Sequence, residues 1–167
     1  MEGPKLDIDS CCALIEDAFR DTPNPGPTST DISRTAADEG VGDCFAGTSW
    51  RDHSVAQLRY HEVALVYFKD EAFRYWLPAF MLAELKDPAN TNMAWDLIVA
   101  RLCNNESAAL LSTFSKMERL AIISFLEICN ERYKSDSRSE DAISNVRTSL
   151  VLSDFVAFGC PSVHPDN

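Results

Sequence analysis

Arg74 is the residue whose type and setting point most clearly to binding chemistry, because it is a cation within an aromatic and apolar stretch. Acidic residues stand four and three positions before it, the spacing at which an acid and a base pair along one helix. Pro78 lacks the N–H that would bond the Arg74 carbonyl, so the helix either kinks there or a new helix begins. Two interpretations stay open: an ion pair that braces a core helix, or an anion site that includes Glu71, Arg74 and Tyr75.

Trp50 is the second candidate binding residue, and it follows a long stretch that is poor in large apolar side chains. An aromatic residue in this position either fixes the preceding loop to the helices or stays exposed to contact a partner. The sequence leaves both interpretations open.

Metal and nucleophilic chemistry have little support in this sequence. His53 and His61 are eight residues apart, about 12 Å along a helix, which is too far for one metal ion even if Cys44 is added. Asp52, His53 and Ser54 are the residue types of a catalytic triad, but a triad is assembled from separate parts of a fold. No C-x-x-C pair and no glycine-rich phosphate loop occurs. We therefore expect no metal, no cofactor and no catalytic residue.

The charge of the chain excludes two classes of partner. Its 167 residues carry 26 acidic and 15 basic side chains, a formal net charge of −11. Such a chain is unsuited to neutralising nucleic-acid phosphates or to docking on anionic lipid. Ten acidic and three basic residues lie within residues 1–49, so most of the excess negative charge belongs to the N-terminal third.

The sequence also indicates a compartment. The first residues, MEGPKLDIDS, contain no basic stretch followed by an apolar one, so no secretory signal is visible. The most apolar stretch, residues 76–83, is far shorter than the roughly 20 residues of a membrane helix. We expect a soluble cytoplasmic protein in which the six cysteines are reduced thiols.

The elements that must position these residues are helices. Apolar spacing predicts an all-α fold, a compact bundle of five to six helices in a single domain over residues 1–167. Asp9 and Ser10 are N-cap types for a first helix that ends before Pro23, and a long loop follows over about residues 22–49. Ser49 or Asp52 could cap a helical segment through Val55, Leu58 and Tyr60, and a short apolar run follows at residues 63–68. Further helices are predicted at residues 71–85, 92–102, 116–134 and about 140–158. We expect the tails, residues 1–8 and 161–167, to fray.

One predicted helix start has a specific signal. Ser115 and Glu118 match a capping box, in which each side chain accepts a hydrogen bond from the other residue's backbone N–H. Apolar spacing in the helix that follows predicts a buried face with Met117 and Leu120. Arg119 is then expected on the polar face.

The stretch YFKDEAFRYWLPAFMLAEL, at residues 67–85, resembles the signature of a small bacterial family of unknown function. Members of that family show a phenylalanine, a short cap and then E-A-F-R-Y-x-L-P-A. The matching residues here are Phe68, Glu71, Ala72, Phe73, Arg74, Tyr75, Leu77, Pro78 and Ala79. Many members have Ser/Thr-Pro as the cap, where this chain has Lys69-Asp70. The resemblance extends over residues 10–135 and implies a shared fold unit without implying an activity.

The function most consistent with these observations is a non-enzymatic interaction or regulatory module for a basic protein partner, because complementary charge accelerates and selects encounters. The alternative is a protein that binds an anion or small molecule, or an enzyme, with its site at the Arg74–Pro78 kink. The oligomeric state does not follow from the sequence.

Overall fold

The computed structural model describes residues 7–26, 41–91, 93–104, 107–134 and 137–157, without the side chains of residues 41–42 and 153–157. Within these ranges the chain is helical and has no β-strand, which confirms the predicted all-α class. The α-helices are α1 (Ile8–Ala18), α2 (Val41–Phe45), α3 (Val55–Tyr60), α4 (Ala64–Tyr67), α5 (Asp70–Lys86), α6 (Ala94–Cys103), α7 (Ser107–Ser112), α8 (Lys116–Tyr133) and α9 (Ser137–Ala157). A 3₁₀ turn, Pro88–Asn90, separates α5 from α6.

Helix α5 lies at the centre of the bundle. Twelve of its 17 residues are buried, as expected of a helix without a continuous polar face. Helices α1, α3, α6 and α8 pack against it. Pro78 is the ninth residue of α5, and the helix continues through it to Lys86. The interpretation in which a new helix begins at Pro78 is therefore wrong.

The remaining long helices close the core around α5. Helix α9 packs along both α6 and α8, and α1 packs along both α5 and α8. Their apolar side chains form one continuous cluster, whose fully buried members include Trp76, Phe80 and Phe125. None of the helices in the described ranges combines the length and the apolar character needed to cross a bilayer.

Helix α1 begins earlier than its sequence predicts. Asp7 is the N-cap, and its carboxylate accepts a hydrogen bond of 2.9 Å from the backbone N–H of Ser10. The helix therefore starts within residues 1–8, where we expected fraying, because this side chain satisfies an N–H that would otherwise have no helical acceptor. Residues 1–6 and 161–167 lie outside the described residues.

The predicted loop over residues 22–49 contains helix α2 near its end. Phe45, the last residue of α2, is buried, and its ring centroid lies 5.1 Å from that of Phe68 and 4.9 Å from that of Trp76. Burial of this one aromatic ring gives a five-residue segment enough apolar contact to be held as a helix against the bundle. Residues 27–40 lie outside the described residues.

The start of α8 confirms one prediction and corrects another. The capping box is present: Ser115 Oγ accepts from the Glu118 N–H at 3.2 Å, and Glu118 Oε2 accepts from the Ser115 N–H at 2.5 Å. The predicted buried face is wrong at Met117 and Leu120, which are exposed, and Arg119, which was expected on the polar face, is buried. Charged side chains lie inward here since each finds hydrogen-bond acceptors or donors on neighbouring elements.

Candidate functional site

Arg74 meets Glu118 where α5 passes the start of α8. The Arg74 Nε lies 3.1 Å from both Glu118 carboxylate oxygens, and its Nη2 lies 2.9 Å from Oε2. The Glu118 side chain is 1% exposed and that of Arg74 is 25% exposed. The positive charge of Arg74 is thus balanced by a carboxylate of another helix, α8.

Glu118 connects three segments of the chain. Besides binding Arg74, it accepts a hydrogen bond of 2.6 Å from the Thr22 hydroxyl, after the end of α1, and one from the Ser115 backbone. We call Thr22, Arg74, Ser115 and Glu118 the Glu118 junction. An anion site at Arg74 stays a prediction, and it requires a ligand that shares the guanidinium with Glu118.

The other residues of the predicted Arg74 site have different surroundings. Glu71 is exposed on α5. Tyr75 is buried, and its ring lies edge-on to Trp76 with 5.1 Å between centroids. Asp70, which we considered as a partner of Arg74, instead pairs with Arg101 of α6 at 2.9 Å.

Trp50 is buried and lies after α2. The Arg51 guanidinium carbon is 4.0 Å from the centroid of the Trp50 ring, a cation–π contact. Both residues line a cavity of about 370 Å³ beside α5, whose walls include His53 and Leu82. This burial favours the interpretation in which Trp50 fixes the loop to the helices.

The two histidines considered as metal ligands flank Phe45, with ring centroids 5.0 Å (His53) and 6.2 Å (His61) from it. His53 Nε2 lies 3.0 Å from the Thr48 hydroxyl, while Nδ1 of each ring is buried and has no hydrogen-bond partner among the described residues. Burial lowers the pKa of both histidines, so the neutral form is favoured. In the described ranges, no group of three or more His, Cys, Asp or Glu residues is placed to hold a metal ion.

Sequence reasoning missed a buried acid near the end of α5. Glu84 is buried, and one of its carboxylate oxygens accepts a hydrogen bond from the Tyr133 hydroxyl of α8. Burial, and then the bond to Glu84, raise the pKa of Tyr133 to about 12. Glu84 only interrupts an apolar stretch in the sequence, and nothing in its local pattern indicates a partner 49 residues away.

A groove of about 870 Å³ runs between the start of α1, the end of α5 and the end of α8. Its apolar side chains include Ile8, which is 40% exposed, and Ile128. Carboxylates of Asp7, Asp9 and Glu131 line it as well. We call this feature the α1 groove; its lining is completed by Leu85, Lys86 and Arg132.

The two cations of the α1 groove are engaged with the protein itself. Lys86 Nζ lies 3.2 Å from a carboxylate oxygen of Glu16, and Arg132 Nη1 donates to the Glu84 carbonyl at 2.9 Å. Hydrogen bonds from Ser10 lower the pKa of Asp7, so this acid is ionised at neutral pH. The groove therefore presents exposed apolar surface bordered by acidic side chains.

Comparison with known proteins identifies a family. The model of a family of unknown function (DUF6714) matches residues 7–149, which include every residue of the Glu118 junction and of the α1 groove. Neither a curated protein nor a solved structure matches the chain. The match covers most of the sequence, and the chain belongs to this family of unknown function, DUF6714.

Proposed function

We propose that this protein is a non-enzymatic binding module that receives a basic segment of a partner protein in the α1 groove. The observation that carries the proposal is the combination of a half-exposed isoleucine, Ile8, with the carboxylates of Asp7, Asp9 and Glu131 in one groove. A basic amphipathic helix is the partner that matches this combination, because it offers an apolar stripe flanked by cations.

Charge around the groove supports the same partner. The described residues before Trp50, 7–26 and 41–49, carry six acidic side chains and one basic side chain. Asp9, Glu16 and Asp17 are exposed on α1, and Asp9 lines the groove. A surface with this excess of negative charge accelerates the encounter with a cationic partner and repels an anionic one.

Apolar contact supplies binding free energy that the charges of the groove alone do not. Exposed ion pairs contribute about 1 kcal/mol or less, so a complex held only by rim charges would be weak. Ile8 and Ile128 give the partner apolar surface to bury inside the acidic rim. This arrangement, an apolar centre surrounded by polar groups, is typical of specific protein interfaces.

The proposal extends to the compartment. Five cysteines in the described part of the chain are free thiols: Cys11, Cys12, Cys44, Cys103 and Cys129. Free thiols persist in reducing compartments, which supports a cytoplasmic location for the complex. A bacterial origin stays a prediction from the helix signature at residues 67–85.

The test uses two labelled model peptides, an amphipathic helix of leucine and lysine and its counterpart of leucine and glutamate. Binding is measured by fluorescence anisotropy at about 50 mM and about 300 mM NaCl, where charge screening differs strongly. We expect the lysine peptide to bind at least about tenfold more tightly than the glutamate peptide, and its affinity to decrease at the higher salt concentration.

Variants locate the binding surface. The charge-reversed pair D9K/E131K should weaken binding of the lysine peptide at least about tenfold. The I8S variant should weaken its binding at both salt concentrations. The matched control D43K/E140K reverses two exposed acids outside the groove and should change affinity less than about twofold. Equal effects of the two charge-reversed pairs, or no binding of the lysine peptide, would overturn the proposal.

A further inference from the structure

A further cavity lies between α7 and α9. Its volume is about 740 Å³, within the usual range for small-molecule sites. The wall combines apolar side chains such as Leu111 with hydroxyl and amide side chains such as Ser107, Asn145 and Thr148. We call it the α7–α9 cavity.

Arg119, from α8, lines this cavity and is only 7% exposed. Its Nε and Nη2 donate to the Phe114 carbonyl at 3.0 Å and 2.7 Å, and its Nη1 donates to the Ser149 carbonyl at 2.6 Å. A guanidinium has five N–H donors. These bonds use three of them, and the described residues provide no acceptor for the other two.

The lack of a carboxylate partner among the described residues distinguishes Arg119 from the inward arginines Arg74 and Arg101. Arg74 pairs with Glu118 and Arg101 pairs with Asp70, whereas the acceptors of Arg119 among the described residues are neutral carbonyl oxygens. A buried cation without a carboxylate partner is costly, because it has left water without gaining a counter-charge. An anion in the cavity would supply the missing negative charge and accept the two remaining N–H groups.

The rest of the wall restricts the size and charge of that anion. Asn145 donates to the Leu102 carbonyl at 3.0 Å and to Ser107 Oγ at 3.4 Å, which fixes two polar groups in place. Asp141 also lines the cavity, eight residues before Ser149 on α9 and so about 12 Å along the helix from the end at which Arg119 binds. A ligand with a second negative charge near Asp141 would be repelled.

From this geometry we propose that the α7–α9 cavity binds a small monocarboxylate with an apolar body, its carboxylate at Arg119 and its apolar part against Leu111. The site differs from the anion site predicted at Arg74, because the part of the chain that the structure describes gives Arg119 no carboxylate partner. It is also independent of the basic partner proposed for the α1 groove, which involves other residues.

The experiment is a titration of the isotopically labelled full chain with hexanoate, followed by backbone amide NMR. Hexanamide, which has the same apolar body without the charge, and inorganic phosphate are titrated in parallel. We expect hexanoate to shift amides of α7 and of α9 saturably, with an affinity at least about tenfold higher than that of either other probe. Equal binding of hexanoate and hexanamide, or stronger binding of phosphate, would overturn the assignment.

Two alanines on α7 give a matched pair of variants. Ala108 lines the cavity and its neighbour Ala109 does not, although both are exposed. A108F should abolish hexanoate binding by filling the cavity, while A109F should leave it within about twofold of the wild type. R119K keeps the charge but loses the planar fork, and should weaken binding about tenfold. Unchanged binding in A108F would overturn the proposal even if R119K fails to fold.

Discussion

Arg74 and Glu118 form a two-oxygen ion pair between α5 and α8, with Nε placed 3.1 Å from each carboxylate oxygen. The pair joins the central helix to the capping box that starts α8. Glu118 therefore caps its own helix and also pairs with a cation that lies 44 positions earlier in the chain.

Removing the cation of this pair should destabilise the fold. R74M leaves the buried Glu118 carboxylate without its counter-charge, and we expect the free energy of unfolding to fall by about 3 kcal/mol. Urea denaturation followed by circular dichroism measures the change. R147M is the control, because Arg147 and its partner Glu127 are both exposed, and it should cost less than about 1 kcal/mol. Equal losses in the two variants would contradict a special role for the Glu118 junction.

The buried histidines should make stability depend on pH. Burial lowers the pKa of His53 and of His61 below the ordinary value of 6.5, so the unfolded chain takes up protons more readily than the folded one. The contribution of the two histidines to the free energy of unfolding should then be constant above pH 6.5 and decrease as the pH falls below 6.5. Urea denaturation between about pH 7 and about pH 5 measures this slope. The variant H53Q/H61Q should have a shallower slope, and an unchanged slope would show that other groups cause it.

The sequence predicted those features that depend on local pattern. Helix α5 was recognisable because a helical segment without a polar face must be surrounded by other helices. The capping box was recognisable because Ser115 and Glu118 lie within one helical turn. The buried face of α8 was not recognisable. Arg119 has the sequence character of a surface residue, and only the carbonyls of Phe114 and Ser149, brought together by the fold, allow its burial. The partner of Arg74 was missed for the same reason.

Tyr133 should ionise at a higher pH than an ordinary tyrosine. Burial, with the hydrogen bond to Glu84, raises its pKa to about 12, and the chain has four tyrosines. An ultraviolet titration of the wild type should show a late phase in tyrosinate absorbance that is lost in Y133F. The same variant leaves Glu84 without this donor and should cost about 1–3 kcal/mol of unfolding free energy. Y60F changes an exposed tyrosine and should affect neither the late phase nor stability.

The thiols should differ in reactivity. Cys11 and Cys129 are fully buried, and burial raises the pKa of Cys11 to about 12 and raises the pKa of Cys129 as well. Cys103 is partly exposed at the end of α6. Brief treatment of the folded protein with iodoacetamide, followed by peptide mass spectrometry, should show Cys103 modified well before the two buried thiols. In urea the three should react alike; early modification of Cys11 in the folded protein would contradict its burial.

The packing of α1 against α8 sets the order in which the chain can assemble. The Thr22 hydroxyl and the Glu118 carboxylate that it binds are 96 residues apart, and the apolar side of α1 rests on a helix that ends at Tyr133. During synthesis from the N-terminus, α1 can contact α5 first, but the side of α1 that rests on α8 stays open to water or to a chaperone until α8 has left the ribosome. The first helix can therefore complete its packing only late in synthesis, after most of the chain has emerged.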